Sequence, residues 1–161
     1  MARTLIALTC LAAIGGVGRA AAGDFRVYRT FPDSVAIVDF DAIGAPAKGY
    51  RTVSAYEFWR TPVHGPSGEG VVSKIAYLFD CDYPSVRIDD YLVWDRNYRV
   101  IARQPGPSPW RPIKDIKRLP EDFHRFCSPD PRAGFTGAHL HADGWQQAVA
   151  AARKMFGWPM A

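Results

Sequence analysis

Between Phe25 and Arg103 six strand-like segments follow one another with short turn signals between them, and no stretch of helical periodicity intervenes. This spacing constrains the fold more than any other feature of the chain. Parallel neighbours need crossovers of a dozen or more residues, so strands this close in sequence pair as an antiparallel meander. Phe25 to Phe31 alternates apolar and polar side chains, the period of a half-buried strand, and Pro32-Asp33 breaks it. Val35 to Phe40 is β-branched and aromatic and closes at Gly44-Ala45-Pro46. Tyr50 to Arg60 comes next, with Tyr50, Thr52, Ser54, Tyr56 and Phe58 expected on one face and Val53, Ala55 and Trp59 on the other. Val63 to Gly70 reads as the loop of a hairpin, followed by strands over Val71 to Cys81 and Val86 to Trp94. Asp95-Arg96-Asn97 is a tight turn into a sixth strand, Tyr98 to Arg103.

Beyond the strands the pattern changes. Pro105 to Pro112 is an extended linker, with Trp110 and Ile113 expected to anchor it on the sheet. Pro120-Glu121-Asp122 suits a first helical turn, where proline loses no hydrogen bond and acids meet the positive end of the helix dipole. Phe123, Phe126 and Cys127 then share one side of a short helix. A second helix is expected over Asp143 to Phe156, capped by Asp143 with Gln146 three residues on, and ended by Gly157 and Pro159. Its apolar stripe is Trp145, Val149, Ala152 and Phe156, which must find a partner surface on the sheet or on a second copy. The expected fold class is therefore α+β and β-rich: an antiparallel meander of about six strands, a short disulfide-tethered helix and a C-terminal helix.

The N-terminal segment specifies export. Arg3 precedes an apolar run from Leu5 to Val17, too short for a permanent span, and Ala20-Ala21-Ala22 offers the small residues a signal peptidase requires. Residues 1–22 are read as a cleaved signal peptide and residues 23–161 as one domain, with no integral membrane anchor. Losing Arg3 and Arg19 reduces the formal net charge of +4, and the remaining charge is spread along the chain, so no nucleic-acid partner is expected. Cleavage also removes Cys10 from the three cysteines. The remaining pair, Cys81 and Cys127, is most simply a disulfide in an oxidising compartment, worth roughly 4 kcal/mol; a reactive thiol beside a bystander is the rival reading.

No catalytic signature stands in the chain. Two histidines and an acid, His139, His141 and Asp143, are weak candidates for a metal site, because imidazoles two apart share a face of an extended segment. The alternative reading is a solvent-facing stretch ahead of the second helix. Asp80 and Asp82 flank Cys81 on one face of a strand, and glycosidase chemistry needs a close carboxylate pair, but they adjoin a turn at Tyr83-Pro84 where acids cap an exposed edge. Asp89-Asp90 reads as a solvated face, the glycines of His64 to Gly70 lack a phosphate-loop lysine, and Ser128 lacks a nucleophile's context. No catalytic residue and no cofactor is expected.

The stretches SVAIVDFDAI, YLFDCDYPSVRIDDYLVWDRNYRVI and PWRPIKDIKRLPEDFHRFC, within Val35 to Cys127, resemble the surface-adhesin protein E family of small exported bacterial proteins. The shared pattern is a strand ending in Asp-Cys, an arginine-bearing strand, a turn, a Trp-x-Pro-Ile-like stretch and a second cysteine. The resemblance implies a bent antiparallel sheet with a helix tethered to it by the Cys81–Cys127 disulfide. It further implies surface binding to extracellular-matrix proteins and a possible homodimer. The tail from Ser128 to Ala161 and the lack of a lipid-anchor cysteine lie outside the family pattern. Two functions follow as expectations: a non-catalytic exported binding protein for an unidentified protein partner, located in the periplasm, at the cell surface or outside the cell, or a metal-assisted hydrolase using His139, His141 and Asp143.

Overall fold

The computed structural model describes residues 23–44, 49–65, 67–117 and 119–159. The expected signal peptide, residues 1–22, lies outside the described residues. The strands are β1 (Gly23–Thr30), β2 (Ser34–Asp39), β3 (Tyr50–Gly65), β4 (Gly68–Asp80), β5 (Ser85–Trp94), β6 (Val100–Arg103), β7 (Arg111–Pro112) and β8 (His139–Ala142). Helix α1 (Leu119–Phe126) follows β7 after a 3-10 turn at Ile113–Asp115, and α2 (Trp145–Met155) follows β8. Among the described residues these strands form one antiparallel sheet in the order β6-β5-β4-β3-β2-β1-β8, with β7 beside β5. The six-strand meander is as the sequence predicts.

The sheet is apolar on both faces, and each face has its own helix. On one side Phe25, Val27, Val35, Ile37, Phe58, Val72 and Trp94 pack with Ala148, Val149 and Ala152 of α2. On the other, Val38, Phe40, Val53, Ala55, Phe79 and Val86 pack with Leu119, Phe123 and Phe126 of α1. The expected face division of β3 holds for Tyr56 and Phe58 against Val53 and Ala55, which fall in opposite clusters.

Several boundaries differ from the sequence reading. Residues Val63 to Gly70 are no loop: β3 runs to Gly65 and β4 starts at Gly68, with Val63↔Gly70 and Gly65↔Gly68 paired. Glycine, proline and serine dominate this stretch, but ladder pairing outweighs local propensity. The sixth strand starts at Val100, because Asp95 Oδ1 accepts from the Asn97 and Arg99 amides and Tyr98 takes a positive φ of 57°. Trp110 is a weaker anchor than Ile113. It is 40% exposed against Tyr50 and beneath the Arg87 guanidinium, whereas Ile113 is buried.

Helix α2 begins two residues later than expected. Gly144 is its N-cap with no side-chain bond; Gln147 Oε1 instead accepts from the Asp143 amide at 3.1 Å, and Asp143 itself caps nothing. The C-terminal end follows the sequence rule. Gly157 sits at φ 63°, and the Gly157 and Trp158 amides donate back to Lys154 O (3.2 Å) and Arg153 O (2.9 Å). This paired return is available because glycine enters the left-handed region without steric cost. The stripe packs on the chain's own sheet: Val149 and Ala152 are buried, and Trp145 stacks on Trp94 (4.6 Å between centroids) and Tyr56 (5.4 Å).

Cys81 and Cys127 are bridged, with Cα atoms 5.5 Å apart across a separation of 46 residues. An eight-residue helix is too short to persist alone, so the bond holds α1 on Phe79 and Val86. Replacing both cysteines by serine is expected to cost about 2–5 kcal/mol, read as a lower urea midpoint; an unchanged midpoint would show that packing alone retains α1. Trp145→Ala, which empties the stack between Trp94 and Tyr56, is expected to cost roughly 3 kcal/mol, measured by the same denaturation.

Candidate functional site

The sequence singles out His139, His141 and Asp143 as metal-ligand candidates, and the fold assigns the first two to an edge strand. In β8, Leu140 and Ala142 turn inward beneath α2 while His139 and His141 face outward, their rings 4.6 Å apart. His139 Nε2 lies 3.2 Å from Asp24 Oδ1, and Asp24 is already engaged by Arg26 (2.7 Å) and Arg132 (3.0 Å). The Arg26 hydrogen bond, opposed in part by burial and helped by Arg132, holds the Asp24 carboxyl below its usual range. This is an ion-pair network joining β1, β8 and the 130s loop. Asp143 is exposed beyond the strand end, and among the described residues no group of three His, Cys, Asp or Glu side chains could hold a metal ion.

The other acidic candidates resolve into structural roles. Asp80 Oδ1 accepts from the Asp82 and Tyr83 amides and so caps the turn that follows β4. Asp89 pairs with Arg87 at 3.0 Å, and Asp90 with Lys74 and Arg103. A register shift between Ala76 and Tyr77 places Asp89 at a bulge.

A titratable cluster the sequence did not disclose lies under α1. Asp122, which reads as an exposed first-turn acid, is 6% exposed and pairs with Arg29 of β1 at 2.8 Å. Tyr28 donates a long 3.5 Å contact to the same carboxylate. Burial pushes the Asp122 carboxyl up to about 6; the Arg29 charge and hydrogen bond, and the Tyr28 bond, pull the other way. Burial and the neighbouring Asp122 charge also push the Tyr28 phenol upward, and burial takes Tyr77 to about 12. A cavity of about 250 Å³ touches the cluster, lined by Tyr28, Arg29, Asp122, Arg125, Phe135 and Thr136 among others. The group could hold a proton near neutrality, and it shares the cavity with Glu121, Arg125 and Thr136. Its evident effect is to orient α1 against β1.

The same face of the sheet carries a groove further from the disulfide. The α1 cluster ends near Ala55 and Tyr77, and beyond it Trp59, Val63, Tyr91, Val93 and Ile101 line a cavity of about 260 Å³. Val63 is 40% exposed, and Trp59, Tyr91 and Ile101 are half-buried. Gly70 forms part of the wall: a methyl group there would sit 2.5 Å from Val93 Cγ1, so only glycine leaves the space. The sequence could supply the aromatic count but not which rings stay uncovered.

No family model matches the chain, and no match was found among the curated proteins or the solved structures.

Asp122 yields a pH prediction with a definite sign. Its folded pKa of about 6 exceeds the ordinary 3.8, so the folded state binds more protons between these values and stability falls as pH rises from about 4 to 6. The expected contribution is on the order of 1–3 kcal/mol, read as a declining thermal midpoint. Asp122→Asn is expected to flatten that decline. An identical slope in the variant would mean that the Arg29 pair keeps Asp122 ionised throughout.

Proposed function

We propose that this chain is an exported, non-catalytic binding protein of the surface-adhesin protein E type, whose protein partner inserts an apolar side chain into the Trp59–Tyr91 groove. The observation that carries this reading is the groove itself. Tryptophan and tyrosine at the margin of a partly desolvated pocket are the residues that most often anchor protein interfaces. At about 260 Å³ the cavity falls below the roughly 300–1,000 Å³ typical of small-molecule sites, and it suits one projecting side chain better than an enclosed ligand. The disulfide supports the exported half of the reading, because such bonds persist in oxidising compartments. Among the described residues no helix is long and apolar enough to cross a membrane.

The hydrolase alternative has no comparable support, since His139 is committed to Asp24 and Asp143 does not converge with the two imidazoles.

The test is a pull-down of the disulfide-bonded protein from envelope extract and from extracellular matrix, followed by affinity measurement on the captured partner. Tyr91→Ala and Trp59→Ala are each expected to weaken binding by about tenfold or more, consistent with interface anchors worth over 1 kcal/mol, with circular dichroism unchanged. Captured partners that bind both variants as tightly as the parent would remove the groove from the interface.

A further inference from the structure

Trp59 also lines a second cavity, on the side of the hairpin that meets the end of α2. Its volume is about 190 Å³, and its walls include Arg60, Arg96 and Arg153 with Trp59, Pro62 and Val71. No carboxylate is among the lining residues. Arg153 is only 3% exposed and sits over the Phe58 ring at 5.6 Å. Its Nη atoms donate to Pro159 O (2.8 Å) and Trp59 O (2.9 Å), which satisfies hydrogen bonds without neutralising charge. Its buried Nε has no hydrogen-bond partner. Arg60 has no ion pair among the described residues, and Arg96 makes only an exposed 3.4 Å contact with Glu69.

Three arginines line this small cavity with no carboxylate among its walls, and a guanidinium stays charged at any ordinary pH. The charge of Arg153 is buried and meets only carbonyl oxygens, so an anion in the cavity would offset it. Guanidinium forks match the geometry of carboxylate and phosphate oxygens, and the pocket's remaining walls are apolar.

We propose that this cavity binds a small oxyanion, carboxylate or phosphate, gripped by the exposed Arg60 and Arg96 over the fixed charge of Arg153, with any apolar remainder against Trp59, Pro62 and Val71. The site shares Trp59 with the protein-docking groove but takes a different ligand, defined here by the arginines and in the groove by Tyr91, Val93 and Ile101. Arg153 positions and charges the floor, while Arg60 and Arg96, being exposed, can be replaced without disturbing the core.

The experiment is an amide and indole NMR titration of the disulfide-bonded protein with inorganic phosphate and, separately, benzoate, each at fixed ionic strength balanced with chloride. Saturable shifts centred on Trp59, Arg60, Val71 and Arg96 are expected with at least one probe, and the R60A/R96A double variant should bind that probe at least about tenfold more weakly, the loss expected for charge-assisted hydrogen bonds. Arg111→Ala, an exposed arginine elsewhere, should leave the affinity unchanged. Phosphate binding alone identifies a site read by charge, and tighter benzoate binding identifies one that also uses the apolar wall; both support the proposal. No saturable shift from either probe, or equal affinity in a double variant whose circular dichroism matches the parent, would overturn it.

Discussion

Strand β2 is buried on both of its faces, and most of the architecture answers that constraint. Ser34 to Val38 are all buried, with Val35, Ile37 and Val38 fully removed from solvent. A strand in a one-sided sheet would alternate buried and exposed residues. Here Val35 and Ile37 require cover on one side, and Val38 and Phe40 on the other. Each large side chain buried is worth about 1.5–3 kcal/mol, so neither face can be left wet. The chain after β7 supplies the two covers, α1 and α2, one for each face.

The covers are secured differently because they differ in length and apolarity. Helix α2 brings Ala148, Val149 and Ala152 into full burial, adds the Trp145 stack, and is preceded by β8, which pairs with β1 along Gly23 to Arg26. Helix α1, at eight residues, is barely over two turns long and carries a buried acid. It is held by the Cys81–Cys127 bond at one end and by Arg29 against Asp122 on its flank. A short cover also leaves sheet uncovered. The groove at Trp59, Tyr91 and Ile101 is the portion of the α1 face that eight residues do not reach. The groove follows from economy of cover: the shorter helix is what leaves the aromatic rings partly exposed.

The chemistry-bearing residues show why sequence alone pointed to weak places. His139, His141 and Asp143 stand close in sequence and so attract notice, yet strand pairing separates Asp143 from the imidazoles and gives His139 to Asp24. The groups that are electrostatically unusual come from distant segments. Tyr28 and Asp122 meet across 94 positions, as do Trp59 and Arg153. Asp122 looks like any first-turn acid, and Arg153 like any basic residue in a helix's last turn, until packing removes them from water.

Some of this protein was determined by the sequence itself. Alternation and short turns dictate the antiparallel meander, because chain geometry between close strands permits little else. The pairing of Cys81 with Cys127 follows from their being the two cysteines beyond the apolar N-terminal run, and the end of α2 follows from Gly157. Such features depend on local stereochemistry or on simple counting. Tertiary structure alone decided that His139 to Ala142 is an edge strand, that the glycine-rich hairpin is paired nearly to its tip, that Asp122 is buried, and that Arg60, Arg96 and Arg153 line one cavity. Those outcomes turn on which faces the sheet must hide and on how far each helix extends over them, and burial of that kind is a property of segments brought together across the whole chain, with no local signature to read.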